Sequence, residues 1–232
     1  MSNINDATTK THLLGGVIDM GTHNEGVCAK ECFCQKREGK LNNSVAYLCG
    51  PIDDADDDGV GWRRTLTEEL NDCFGVKVLD PTDKPFKKDD GESYEEIGAE
   101  KVNTMTLKKE GRYEELADKM RKIVRTDLRM VDLSDFIITY LPRNVVLCGT
   151  IHEIVTATES KKPTLIVVEG GRQYAPNWLW GMLPTHPHTE GQSGWLFDSF
   201  DDLKDYLYQV HEGIDPAPKS SRWVFMDLNS RR

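Results

Sequence analysis

Two carboxylate residues, Asp127 and Glu153, stand at opposite ends of a segment that has the pattern of a helix end, an apolar strand, a turn and a second helix start. A carboxylate in a site can act as a nucleophile or stabilise a cationic transition state. A strand of about eight residues spans roughly 25 Å, so the preceding helix must run back along it if the carboxylates are to meet. A parallel α/β layer allows this, and ligands there bind beside strand ends.

Asp127 lies within an apolar stripe of helical spacing. The stripe begins near Tyr113, and its apolar members are Leu116, Met120, Ile123, Val124, Met130 and Val131. A carboxylate on a core-facing stripe must be paired, hydrogen-bonded or placed at a pocket wall, because burying it alone is costly. A salt bridge with Arg125 or Arg129 is one interpretation, but these neighbours point to other faces of the helix. The pattern therefore favours a pocket wall.

Glu153 also has two interpretations. The spacing from Thr150 to Glu153 is that of a capping box, in which the glutamate only returns a hydrogen bond to the cap residue. A glutamate in the first helical turn at the carboxyl edge of a parallel sheet also faces the ligand crevice, where the helix dipole would favour its ionised form. Such a carboxylate could act as a nucleophile or stabilise a cationic transition state.

The surrounding pattern is strand, helix, strand, which indicates a doubly wound parallel α/β sheet of about five strands. The strand-like segments are VAYLCGPI from residue 45, VKVLDP ending at Pro81, FIITYL, PTLIVVEGG and a short strand at LF before a last helix. We expect extensions at 1–43 and 213–232 around one domain at 44–212. The polar segment 82–111 lacks clean periodicity and is predicted to be a long insertion, either a functional lid or disordered.

Composition limits the function classes. The chain has 232 residues, 38% of them hydrophobic and 29% charged, with a formal net charge of −10. An acidic chain is a poor partner for a nucleic-acid backbone. No apolar run approaches the length of a membrane span, and the N-terminus lacks the features of a signal peptide. We therefore expect a cytoplasmic protein without a membrane or nucleic-acid partner.

Three groups of residues could bind metal, and in each the alternative is favoured. Cys28, Cys32 and Cys34, with His23 nearby, lack the usual CxxC spacing of a zinc site. Asp54, Asp56, Asp58 and Gly59 resemble the start of a calcium loop, but Thr65 stands where such a loop needs its bidentate glutamate. His186 and His188 have no acidic or cysteine partners nearby in the sequence. We expect no metal and no cofactor.

Several segments together resemble the nucleoside 2-deoxyribosyltransferase family and its N-glycosidase relatives, over roughly residues 44 to 210. They are YLCGPI, DLRMVDLSD, GTIHEIVTA and KKPTLIVV. The resemblance implies a flavodoxin-like fold, Glu153 as nucleophile, Asp127 as acid/base or base-contacting carboxylate, and Tyr47 as a residue that orients Glu153. It also implies small nucleoside and nucleobase substrates, and a homo-oligomer with sites near subunit interfaces, where Asn177 of PNWLWGM would contact the sugar.

We further expect a set of substrate-binding residues at strand ends and adjoining turns, namely Gly50, Pro51, Trp62, Asp80, Gly149 and Asn177. Two departures from the family matter. Leu147 stands where the family often has Asp or Ser, six residues before the nucleophile. The first loop is DDADDDG, which would repel a 5′-phosphate unless a cation intervened or Arg63 and Arg64 turned inward. This favours a nucleoside over a nucleotide.

Three function classes remain open on the sequence. The first is a transferase that moves deoxyribose between bases through a covalent glycosyl-Glu153 intermediate. The second is a hydrolase that cleaves the N-glycosidic bond of a nucleoside or nucleotide and releases free sugar. The third is a non-catalytic nucleotide-binding protein on the same fold, in which Glu153 would have no role in turnover.

Overall fold

The structure is a computed structural model that describes residues 39–52, 55, 57–86, 97–183, 195–213 and 223–224. Five strands lie in this part of the chain: β1 Val45–Cys49, β2 Lys77–Leu79, β3 Phe136–Leu141, β4 Thr164–Val168 and β5 Leu196–Phe197. The α-helices are α1 Val60–Phe74, α2 Ile97–Lys109, α3 Tyr113–Leu133, α4 Cys148–Glu159, α5 Asn177–Met182 and α6 Phe200–Glu212, and a 3₁₀ helix spans Arg172–Tyr174.

The five strands form one sheet in the order β2-β1-β3-β4-β5, and every neighbouring pair is parallel. This is the flavodoxin-like order, in which the direction of winding reverses between β1 and β3. The predicted doubly wound parallel sheet is therefore confirmed. Ligands of such sheets bind beyond the carboxyl ends of the strands at this reversal.

The side chains of β1 alternate between two hydrophobic cores, one on each face of the sheet. Ala46 and Leu48 face the side of the sheet covered by α1 and α6, whereas Tyr47 and Cys49 face the side covered by α3, α4 and α5. Successive strand side chains point to opposite faces, so residues two apart share a face. Consequently Tyr47 and Cys49 both point toward the helices that carry Asp127 and Glu153.

The predicted insertion at 82–111 contains a helix that the sequence pattern did not indicate, because residues 97–109 form α2. Leu107 and Glu100 of this helix are buried, and α2 packs against α3. The sequence pattern is weak because much of the buried face carries polar groups rather than leucines. Glu100, for example, is within 3.8 Å of the Lys84 ammonium group.

Residues of the predicted C-terminal extension contact the body of the fold. The ring of Trp223 lies 5.0 Å from that of Phe136, measured between centroids, and its indole N–H donates to the hydroxyl of Tyr206 at 2.9 Å. This contact places part of the tail against β3 and α6. None of the described helices is both long and apolar enough to cross a membrane.

Candidate active site

A cavity of about 420 Å³ opens at the carboxyl ends of β1 and β2, between α2, α3 and the start of α4. Its volume falls within the range of about 300–1,000 Å³ that is typical of small-molecule sites. Asp127 of α3 and Glu153 of α4 both lie in its wall. The parallel sheet therefore brings together the two carboxylates that the sequence separates by a strand and a turn.

Both oxygens of the Glu153 carboxylate are held by side chains of β1. The Tyr47 hydroxyl donates to Oε1 at 2.7 Å, and the Cys49 thiol donates to Oε2 at 2.9 Å. Tyr47 and Cys49 are fully buried, whereas Glu153 remains partly exposed toward the cavity. The contact between Tyr47 and Glu153 that the resemblance implied is thus present in the structure, and Cys49 adds a second donor.

The capping-box interpretation of Glu153 is wrong. Helix α4 begins at Cys148 after Leu147 and has no side-chain cap, so Thr150 is its third residue and Glu153 its sixth. The Glu153 carboxylate is directed to β1 rather than to the backbone of its own helix. The expectation that the dipole of this helix favours its ionised form also fails, because Glu153 lies in the second turn rather than the first and its pKa is raised. Burial raises the pKa of Glu153, and the donors Cys49 and Tyr47 oppose this rise.

Asp127 faces the same cavity from α3. Its Oδ1 atom is buried and accepts no hydrogen bond from the described residues, and the Lys84 ammonium group lies 3.8 Å from it. The salt bridge expected as one alternative, with Arg125 or Arg129, is not the observed pair. Arg129 instead approaches Asp132 at 4.0 Å on the exposed side of the helix. Asp127 therefore lies in the cavity wall with its Oδ1 atom ion-paired to Lys84.

Burial raises the pKa of Asp127 from 3.8 to about 7. Lys84 opposes this rise, whereas the nearby charges of Glu153 and Glu100 add to it, and Arg63 opposes it weakly. A carboxyl group with such a pKa is substantially protonated at neutral pH and can donate a proton to a leaving group. The cavity thus contains one carboxylate held by two donors and one carboxyl group suited to act as an acid.

The structure separates the expected substrate-binding residues into two groups. Three of them, Gly50, Pro51 and Gly149, line the cavity together with Asp127 and Glu153. A Cβ atom at Gly50 would lie 3.0 Å from the Trp62 ring, 3.2 Å from a backbone carbonyl and 3.3 Å from the Arg63 guanidinium, so a side chain here would crowd these neighbours.

Trp62, Asp80 and Asn177 are not among the residues that line the cavity. Trp62 packs against the rings of Tyr140 and Phe200 on the other side of the sheet. Asn177 is exposed at the start of α5, where a contact with a neighbouring subunit's site remains a prediction.

The Arg63 side chain does turn inward, but its guanidinium group donates hydrogen bonds to backbone carbonyls of the protein. It is fully buried and donates to the carbonyl oxygens of Gly59 and Gly50 at 2.8 Å and of Leu48 at 3.4 Å. Its Nε atom lies 3.6 Å from Asp80, whose carboxylate also accepts from Thr82. Arg63 and Asp80 therefore stabilise the loop after β1 rather than face a ligand.

Sequence reasoning missed Cys49, Lys84 and Glu100. For Cys49 a signal existed, because it stands two residues after Tyr47 on the same strand and must share its face. Lys84 and Glu100 lie in the segment 82–111, which has no regular pattern. Their side chains are nearly buried, and they reach the cavity through the packing of α2.

A larger and more open groove, of about 740 Å³, lies between α2 and α3. Its charged lining residues include Arg112 and Glu115, which pair with each other at 2.6 Å and are about half exposed. It contains neither Asp127 nor Glu153, so the smaller cavity is the better candidate for chemistry.

Within the described residues, no group of three or more His, Cys, Asp or Glu side chains could hold a metal ion. Of the calcium-loop residues, Asp58 and Gly59 are described, and the Asp58 carboxylate accepts from Lys101 at 2.7 Å. The remaining candidates lie outside the described residues: Asp54, Asp56, His23, Cys28, Cys32, Cys34, His186 and His188.

No protein-family model matches this chain, and no curated protein matches it. Solved structures do. A 2-deoxyribosyltransferase from Leishmania mexicana is 20% identical, with a TM-score of 0.42, over 72% of this chain and 97% of its own. A 2-deoxyribosyltransferase from Bacillus psychrosaccharolyticus is 14% identical, with a TM-score of 0.46, over 73% of this chain and 98% of its own.

Proposed function

We propose that the protein is a nucleoside 2-deoxyribosyltransferase that works through a covalent glycosyl-Glu153 intermediate. One observation carries the proposal: the Glu153 carboxylate, held by Tyr47 and Cys49, shares a cavity with Asp127, whose pKa is raised to about 7. Two carboxyl groups in one site can divide the roles of nucleophile and acid between them. The sequence resemblance supplies the substrate class.

In this mechanism an oxygen of Glu153 attacks the anomeric carbon of the deoxynucleoside as the bond to the base breaks. The transition state resembles an oxocarbenium ion, which the negative charge of Glu153 stabilises. Asp127 gives its proton to the departing base, so the base leaves neutral and Asp127 becomes a carboxylate. An acceptor base then attacks the same carbon from the opposite face, gives a proton to Asp127 and releases Glu153.

Tyr47 has a supporting role in this scheme. Its hydroxyl holds Oε1 of Glu153, and burial together with the nearby carboxylate raises its pKa well above 10.0. The hydroxyl therefore remains a donor throughout the working pH range. A fixed donor costs no reorganisation when the nucleophile attacks.

We infer a nucleoside rather than a nucleotide as substrate. Arg63, the residue that could have bound a 5′-phosphate beside the first loop, is bound to backbone carbonyls. Arg64 is exposed and is not among the cavity-lining residues. In the first loop, Asp57 accepts from the backbone N–H groups of Gly59 and Gly61, and its negative charge would repel a phosphate.

Chromatography of thymidine incubated with excess adenine tests the proposal. We expect deoxyadenosine and thymine to form together, with little free deoxyribose. Glu153→Ala should abolish exchange, while Glu159→Ala, an exposed position on the same helix, should retain it. Thymidine 5′-monophosphate should react more slowly than thymidine.

Other outcomes of this assay would contradict the proposal. Free sugar that accumulates despite excess adenine would indicate a hydrolase. If the wild type binds thymidine but neither exchanges nor releases base from any deoxynucleoside, the protein is a binding protein. Full activity in Glu153→Ala would exclude the covalent intermediate.

A further inference from the structure

We propose that Cys49 is a positioning residue for Glu153, fixing the plane of its carboxylate through Oε2 while Tyr47 holds Oε1. The role of Glu153 as nucleophile rests on the proposed function, but the hydrogen-bond geometry does not. The Cys49 side chain is fully buried and does not line the cavity, so it acts through Glu153 and not on the substrate.

The thiol of Cys49 has two acceptors within reach. Oε2 of Glu153 lies 2.9 Å from Sγ, whereas the carbonyl oxygen of Thr150 lies at 3.6 Å. A charged oxygen at the shorter distance is the stronger acceptor. Burial and the neighbouring carboxylate raise the pKa of the Cys49 thiol well above 9.0, so it remains an S–H donor.

The sheet fixes the positions of both donors. Tyr47 is paired with Leu79 on β2 and with Ile137 on β3, and Cys49 is paired with Thr139 on β3. Residues two apart on one strand lie roughly 6.5–7 Å from each other on the same face, so they reach the two oxygens of one carboxylate from different directions.

The second donor matters because of the way a glutamate side chain moves. The terminal torsion of Glu has a broad potential, so one hydrogen bond leaves the carboxylate free to turn about that contact. A donor on each oxygen prevents this rotation and leaves each oxygen a further lone pair for attack. Catalytic groups need such support to stay within about 0.5 Å of their productive geometry.

Several titratable or charged groups surround Glu153, and each affects its protonation. Tyr47 and Cys49 on β1 donate to it, and His152 precedes it on α4. Arg63 on α1 and Asp127 on α3 act on it through charge. Of these, Tyr47 and Cys49 are the groups whose donor can be removed with no change in formal charge.

Three substitutions separate hydrogen bonding from packing. Cys49→Ala removes the donor and some volume, Cys49→Val removes the donor but fills the space, and Cys49→Ser keeps a donor. Cys73→Ala, on the opposite face of the sheet, is the control for loss of a cysteine. If Cys49→Ala does not fold, the comparison of the valine and serine variants carries the test.

The first readout is the pKa of Glu153, measured by ¹³C NMR of protein labelled at glutamate side-chain carboxyls, with Glu153→Gln for assignment. The thiol stabilises the ionised carboxylate, so its loss should raise this pKa. We expect a rise of about one unit in the alanine and valine variants, as for the loss of one hydrogen bond to a charged group. The serine and Cys73→Ala variants should stay near wild type.

The second readout is kcat and KM for deoxyribose exchange. A misplaced nucleophile should lower kcat about tenfold in the alanine and valine variants while KM changes less than about threefold. The acid limb of the pH profile should move upward with the pKa of Glu153. The serine variant should recover most of kcat.

An unchanged pKa of Glu153 in Cys49→Ala or Cys49→Val would overturn the proposal, as would equal loss of kcat in the valine and serine variants. The pKa measurement does not need an active enzyme. If the wild type shows no exchange, the proposed function fails, but the pKa shift still tests the role of Cys49.

Discussion

The hydroxyl of Tyr47 donates a hydrogen bond to Oε1 of Glu153 at 2.7 Å, although the two residues are 106 positions apart in the chain. This contact joins the first strand of the sheet to the helix that follows the third. It explains why a partly buried glutamate can remain in the wall of a cavity, because its charge is compensated by fixed donors rather than by water.

Tyr47→Phe should lower kcat about tenfold to a hundredfold, the range expected when one donor to a charged catalytic group is lost. The ring remains, so the packing of β1 against α4 should hardly change. Tyr140→Phe on β3, which removes a hydroxyl outside the cavity lining, is the matched control. Steady-state kinetics of exchange measures both. A Tyr47→Phe enzyme with wild-type kcat would show that this hydroxyl does not support the nucleophile.

Asp127 should control the basic limb of the pH profile. Its protonated form is the proposed acid, so kcat/KM should fall as the pH rises through about 7, where Asp127 loses its proton. The profile of kcat/KM reports groups of the free enzyme. Asp127→Asn should be slower and should lack this limb, whereas Asp132→Asn on the exposed side of the helix should keep it. An identical limb in Asp127→Asn would assign it to another group.

Lys84→Met should move the same basic limb to higher pH. The ammonium group lies 3.8 Å from both Asp127 and Glu100 and opposes the rise in the pKa of Asp127. Removing this positive charge leaves the carboxylate less stable, so its pKa rises further. Lys77→Met, exposed at the opposite end of the sheet, is the control. If the basic limb stays in place or moves to lower pH, the Lys84 ammonium group does not lower the pKa of Asp127.

Arg63→Ala should destabilise the fold strongly, by about 3–5 kcal/mol, as for a buried charge partner whose removal leaves groups unpaired. Three backbone carbonyls lose their donor, and Asp80 loses its ion pair. The neighbouring Arg64 is exposed, so Arg64→Ala should change stability by less than about 0.5 kcal/mol. Urea unfolding monitored by tryptophan fluorescence compares the two. Equal stability of both variants would mean that Arg63 does not hold the loop.

Much of the fold was accessible from the sequence because buried parallel strands have a strong local signal. The apolar runs at 45–49, 136–141 and 164–168 all became strands. Helix α2 was not predicted because its buried face includes Glu100 and its apolar residues show no distinct helical spacing. Propensity and periodicity detect apolar burial, and they do not detect a helix face that is held partly by ion pairs.

The candidate site was accessible in part. The sequence by itself predicted which residues could carry chemistry and which elements hold them: Glu153 on the helix after β3, Asp127 in the stripe of α3, and Tyr47 on β1. These assignments depend on local pattern and on resemblance, both of which are properties of residue order. The sequence also left a choice between a capping glutamate and a ligand-facing one.

Only the tertiary structure decided between those alternatives, since hydrogen bonds between β1 and α4 depend on how distant segments pack. Packing also decided that Arg63 is bound to backbone carbonyls, that Lys84 reaches Asp127 across 43 positions of the chain, and that Cys49 supplies the second donor to Glu153. Desolvation, which shifts the pKa values of Asp127 and Glu153, exists only where the folded chain excludes water. Charge state was therefore the property furthest beyond the reach of the sequence.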